Sequence, residues 1–97
     1  MDYYLLEYVQ MDDYLARRTA FREEHLALAS EAHDRGSLIL AGALAEPADR
    51  AVLIWRTSDR SVIERFTDED PYVRNGLVIS WTIRHWSVVI GEADGQS

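Results

Sequence analysis

A chain of 97 residues is the length of one domain, with a core large enough to fold and little surface to spare. Its net charge is −7, its ten basic residues are all arginine and are scattered, and it has no cysteine. These facts make a phosphate backbone an unfavourable partner, so no nucleic acid is expected, and they exclude disulfides, thiolate nucleophiles and cysteine-based zinc sites.

The N-terminus, MDYYLLEYV, has no basic region before its apolar run, and no apolar stretch reaches the length of a membrane span. A soluble, cytoplasmic protein with no membrane partner is therefore expected. Tyr3 to Val9 is apolar and aromatic apart from Glu7, which suits a strand. Gln10 to Asp13 reads as a polar turn, with Asp12 or Asp13 placed to cap a helix. That helix is predicted to run to about Arg35. Tyr14, Phe21, His25, Leu28 and Ala32 recur at helical spacing and share one face, widened by Leu26 and Ala29. Glu23, Glu24, Glu31 and Asp34 fall elsewhere and face water. Arg35 followed by Gly36 is a stop signal: a cation at the negative end, then the residue that adopts left-handed geometry cheaply.

Ser37 to Ala43 reads as a second strand and Leu44 to Asp49 as a loop. Arg50 to Arg56 reads as a third strand, forming a hairpin with the second. Thr57, Ser58 or Asp59 caps a second helix that carries Val62, Ile63 and Phe66 inward and ends near Asp70-Pro71. Tyr72 to Gly76 is a short irregular piece. Leu77 to Ile90 reads as one long strand or two with a bend. Residues 1–90 thus form a single domain, and 91–97, GEADGQS, form a flexible tail.

The order βαββαβ predicts an α+β, ferredoxin-like fold: a four-stranded antiparallel sheet with both helices on one face. In Val52-Leu53-Ile54-Trp55 and Tyr4-Leu5-Leu6, neighbours point to opposite faces, so both faces are apolar. Two helices cover only one face. A second copy packed sheet to sheet would cover the other, and a homodimer of the dimeric α/β-barrel kind is expected.

Following the chain up and down through this topology brings Arg18, Arg22, Gly42, Asp70 and Leu77 toward one end. His25, near the middle of its helix, comes within reach of Asp70. Such a carboxylate can orient the imidazole and stabilise its cation, His25 can move a proton near neutral pH, and Arg22 can hold an anionic oxygen. The bland alternative is a core histidine satisfied by a carboxylate, beside an Asp-Pro that only ends a helix. His25 and His33, eight apart, cannot chelate one ion, and no H-E-x-x-H is present. His85 reads as structural or at a dimer surface, and Trp55, Trp81 and Trp86 as core or interface. No nucleophile elbow, phosphate loop or dinucleotide fingerprint occurs. No metal and no cofactor are expected.

Three motifs occur in order: Arg18, Arg22, His25 and Leu26 in R-x-x-x-R-x-x-H-L, then D-R-G-S-L-I-L-A-G, then E-D-P-Y-V-R-N-G-L. From Tyr3 to about Val89 the chain resembles the YciI-like (YCII-related) family. The resemblance implies the dimeric α/β barrel and a His–Asp active site, carried here by His25 and Asp70. With it, Arg22, Arg18, Gly42 and Tyr72 are the expected substrate-binding residues. Two positions depart from the family pattern: Ala41-Gly42-Ala43 stands where A-G-P is usual, and Asp70-Pro71-Tyr72 where D-P-F is frequent. Tyr72 thereby adds a hydroxyl. The chemistry attributed to the family includes dehydrochlorination of a chlorinated hydroxyhydroquinone in aromatic degradation. That reaction needs a base for a phenolic proton, a group to steady the oxyanion, and no metal or redox cofactor. A small-molecule substrate and a lyase of this type are the leading expectation. The alternatives are a cofactor-free oxygenase or isomerase of the wider barrel group, and a binding or regulatory module without turnover.

Overall fold

The computed structural model describes residues 2–91; Met1 and residues 92–97, which hold nearly all of the expected tail, lie outside the described residues. Strand β1 spans Asp2–Gln10, β2 Leu38–Ala43, β3 Arg50–Thr57 and β4 Val78–Trp86. They form one antiparallel sheet in the order β2-β3-β1-β4. Between them lie helices α1 (Tyr14–Arg17), α2 (Arg22–Asp34), α3 (Ser61–Glu69) and α4 (Pro71–Arg74). This is the ferredoxin-like arrangement that the element order implies.

Alternation along β1 turns Leu6, Tyr8 and Gln10 to the helical side. Leu6 pairs with Leu53 and Ile83, and Tyr8 with Ala51 and Trp81, so these residues share that face. Ala32 of α2 and Ile63 and Phe66 of α3 join the same core. Trp55 is fully buried and meets Phe66 edge-on at 5.0 Å between ring centroids. Leu6 and Ile63 are also fully buried, each stabilising the fold by roughly 1.5–3 kcal/mol relative to exposure.

Several boundaries differ from the sequence reading. The first helix is not continuous: a 3-10 turn at Arg18–Ala20 and a non-helical Phe21 (φ −121°, ψ 0°) divide it. Thr19 and Phe21 are weak helix formers, and Glu23 and Glu24 favour a fresh positive helix end just after them. Asp13 precedes α1 but makes no side-chain cap. Asp59 does cap α3: its Oδ1 accepts from the Ser61 hydroxyl at 2.7 Å and the Ser61 N–H at 2.9 Å. Those two bonds hold its carboxyl below the usual range. Gln10 belongs to the strand, not to a turn. The piece after Asp70 is helical, because Asp70 accepts from Tyr72 N–H and Pro71 fits a first helical position. β4 ends at Trp86 instead of Ile90.

Of the helix-face residues, Leu26 is exposed, and Trp81 and Trp86 lie outside the core, Trp86 on the outward sheet face opposite Tyr3. The outward sheet face is apolar in one row, where Leu40 pairs with Ile54 and Ile54 with Leu5. Arg84 extends that row, and Glu7 lies beside it at 3.9 Å from Arg50. The apolar second face is thus corrected to one on which apolar residues are interrupted by charges.

Candidate active site

Asp70 sits where two helices meet. Its N–H closes the last turn of α3 on Phe66, and its extended backbone (ψ 119°) is what a residue before proline adopts. The turn leaves the Asp70 side chain 0% exposed. A buried carboxylate needs donors, and three reach it from separate parts of the chain. Tyr72 N–H donates to Oδ1 at 3.0 Å, and the Tyr8 hydroxyl donates to Oδ2 at 2.7 Å. His25 Nδ1 lies 2.8 Å from Oδ1.

A carboxylate accepts, so Nδ1 of His25 carries the proton in this contact and Nε2 keeps its lone pair in the neutral ring. The imidazole also stacks on the Tyr72 ring, 3.9 Å between centroids and 10° from parallel. One hydrogen bond and one ring contact therefore fix its position and its tilt. Both come from the Asp70-Pro71-Tyr72 segment.

Tyr72 is buried and its hydroxyl makes no hydrogen bond; Arg22 stands near it, outside hydrogen-bond geometry. Burial pushes its phenol pKa up and nearby Tyr14 adds to this; Arg22 and Arg18 pull it back toward the ionised form without reversing the direction. Tyr14 meets Tyr72 edge-on at 5.7 Å, and the Arg18 guanidinium stands 5.6 Å from the centre of the Tyr14 ring. Among the described residues neither Arg18 nor Arg22 forms an ion pair with a carboxylate. Burial is likewise the main reason the Tyr8 phenol is pushed far up, helped by the charge of Asp70 and their hydrogen bond.

A cavity of about 630 Å³ opens between α2 and the β2–β3 side of the sheet, a volume typical of small-molecule sites. His25, Tyr72, Arg18 and Arg22 line it, as does Gly42. Asp70 lies behind this surface. Gly42 contributes backbone only, and a Cβ built there meets open space. The structure thus places Arg18, Arg22, His25, Gly42 and Tyr72 around one space, with Asp70 beneath them.

Tyr8 and Gln10 also line the cavity, and the sequence reading missed both. The signal was available: period-two alternation in β1 aligns them with buried Leu6, and a glutamine on an inward register breaks the apolar pattern. His33 lies along the same cavity, with Nδ1 donating to the Leu38 carbonyl at 2.8 Å. His85 stands away from the cavity, exposed on β4 and 3.6 Å from Asp2. Among the described residues no three His, Asp or Glu cluster as metal ligands, and no helix is long and apolar enough to cross a membrane.

The family model of the YCII-related domain matches residues 1–87. The chain belongs to the YCII-related family. Among solved structures, this YCII-related chain is similar to 5-chloro-2-hydroxyhydroquinone dehydrochlorinase from Burkholderia phenoliruptrix AC1100, in complex with 2,5-dihydroxybenzoquinone. The TM-score is 0.74 at 16% identity, covering 87% of this chain and 92% of that one. It is also similar to protein Atu4242 from Agrobacterium tumefaciens, with a TM-score of 0.60 at 13% identity over 92% and 94% of the two chains. At these identities the likeness shows the fold. No curated protein sequence matches the YCII-related chain.

Proposed function

We propose that this YCII-related protein is an acid–base enzyme acting on a small hydroxylated ring, with elimination of chloride from a chlorinated hydroxyhydroquinone as the specific reaction. The observation that carries the reading is the imidazole of His25, held at the cavity wall by Asp70 and Tyr72 with its Nδ1 occupied. That arrangement reserves Nε2 for a substrate proton. Support for the ring and its leaving group comes from the dehydrochlorinase that shares the fold.

In the proposed step, His25 Nε2 takes a phenolic proton and Asp70 steadies the resulting imidazolium. Arg22, the first residue of α2, and the Tyr72 hydroxyl hold the phenolate oxygen. The imidazolium then protonates the ring carbon that bears chlorine, so that carbon becomes tetrahedral. A second ring hydroxyl loses its proton as the carbon–chlorine bond breaks, and the bonding pair leaves with chloride. The products are a hydroxyquinone and HCl, and His25 is returned neutral. Arg18 and the Gly42 backbone complete the substrate-binding wall.

The reading includes a homodimer, in which the row Leu40, Ile54 and Leu5 packs against its equivalent in a second copy. The functional test is chloride release from 5-chloro-2-hydroxyhydroquinone. Release in proportion to protein concentration is the expected result. Saturable binding of the hydroquinone without release, unaffected by loss of His25, would instead make the cavity a binding module.

A further inference from the structure

Gln10 is 4% exposed, and neither its side-chain Nε2 nor its Oε1 has a hydrogen-bond partner. An amide left this way destabilises a fold, so such a group is uncommon in a settled core. Nothing about the backbone leaves its placement slack. Gln10 N–H donates to the Asp49 carbonyl at 2.9 Å, and Met11 N–H donates to the Leu77 carbonyl at 2.9 Å. The β1–β4 register shifts between Val9 and Gln10, the kind of local irregularity that re-aims a side chain beside a site. Gln10 follows Tyr8 by two residues on the same sheet face and lines the cavity that holds His25 and Tyr72.

We infer that Gln10 is a second polar anchor of this cavity, binding a hydroxyl on the substrate ring other than the one His25 deprotonates. This rests on the acid–base reading above and deepens it by assigning a residue to a second hydroxyl of that ring. A carboxamide offers two donors and an acceptor. A hydroxyl is the smallest substituent that both donates and accepts, and so answers both ends of the amide. The Tyr72 hydroxyl, also buried and unpaired, is the anchor beside His25. The free protein carries two unpaired polar groups along one cavity, Gln10 on β1 and Tyr72 on α4, and a ring bearing two hydroxyls would satisfy both.

The test compares two probes of nearly equal shape, 1,4-dihydroxybenzene and 4-methylphenol, by calorimetric titration under anaerobic conditions. The wild-type protein and Gln10→Met, which keeps side-chain length and removes the amide, are titrated in parallel, and their melting temperatures are measured without ligand. The wild type is expected to prefer the dihydroxy probe by about tenfold, the ratio one hydrogen bond supplies. Gln10→Met should lose that preference while binding 4-methylphenol as before. Its melting temperature should rise by about 4–8 °C, since an unpaired buried amide has been removed from a domain of this size. A preference that survives in Gln10→Met, or equal binding of the two probes by the wild type, overturns the role of Gln10 alone. A lowered melting temperature overturns it too, because the amide would then have a partner in the free protein. Failure of the wild type to bind either probe overturns the aromatic-substrate reading itself.

Discussion

Three donors converge on the single carboxylate of Asp70, and one of them, His25, lines the cavity with a second ring nitrogen left for a substrate proton. The other two keep the carboxylate covered when His25 is changed. Tyr8 is the donor from strand β1, and its phenol pKa is pushed up, first by burial and then by Asp70. A raised folded-state value means that the stability tied to the neutral phenol is complete below the unfolded value near 10.0. Above that pH the unfolded chain releases the proton and the folded protein does not, so stability falls as pH rises. Tyr8→Phe should cost about 1–3 kcal/mol at neutral pH, by removing one donor from a buried acceptor. It should also flatten the loss of stability between pH 9 and pH 11, roughly the range spanning the ordinary tyrosine value. Urea unfolding at stepped pH measures both effects; an equally steep alkaline decline in Tyr8→Phe would contradict the assignment.

At the scale of elements, two glycines separate conformation from contact. Gly36 ends α2 with φ +86°, and a Cβ at that position would meet open space, so its constraint is the backbone alone. Gly42 has an ordinary strand conformation and equally open surroundings. Gly36→Ala should therefore lose about 1–2 kcal/mol, the cost of left-handed geometry with a Cβ, and Gly42→Ala almost nothing. Chemical denaturation of the two variants decides this, and equal losses would contradict it. Gly36 was legible in the sequence because Arg35-Gly36 follows a helical stripe, and the order of strands and helices was legible from periodicity. The pairing of His25 with Asp70 followed from topology together with the family resemblance. What was not legible came from competition between local and distant forces. Phe21 interrupts the first helix where Thr19 and Phe21 weaken it, yet the stripe of Tyr14, His25 and Ala32 survives on either side. Asp70-Pro71 reads as a stop, but the same two residues also start α4, which carries the ring that stacks on His25. Gln10 reads as a turn by its polarity alone, and the inward register of β1 overrides that local signal.

For the whole molecule, the sheet gives one face to the helices and the cavity, and the other is the face on which the proposed second copy would pack. The register decides which residue tests that arrangement: Leu53 is buried beneath the helices, and Ile54 points outward in the row with Leu5 and Leu40. Sedimentation should give twice the 11.1 kDa mass for the wild type and the single mass for Ile54→Asp with its fold retained. A wild-type monomer would remove the dimer from the account. The central claim is the acid–base role of His25, and the rate of chloride release from 5-chloro-2-hydroxyhydroquinone by wild-type and His25→Ala protein, each shown to be folded, tests it most directly. The account predicts a loss of about a hundredfold to ten-thousandfold on removing the imidazole. Asp70→Asn should lose less, because an amide oxygen still accepts from Nδ1. Undiminished release by folded His25→Ala would contradict the account and return His25 to the core as a satisfied histidine.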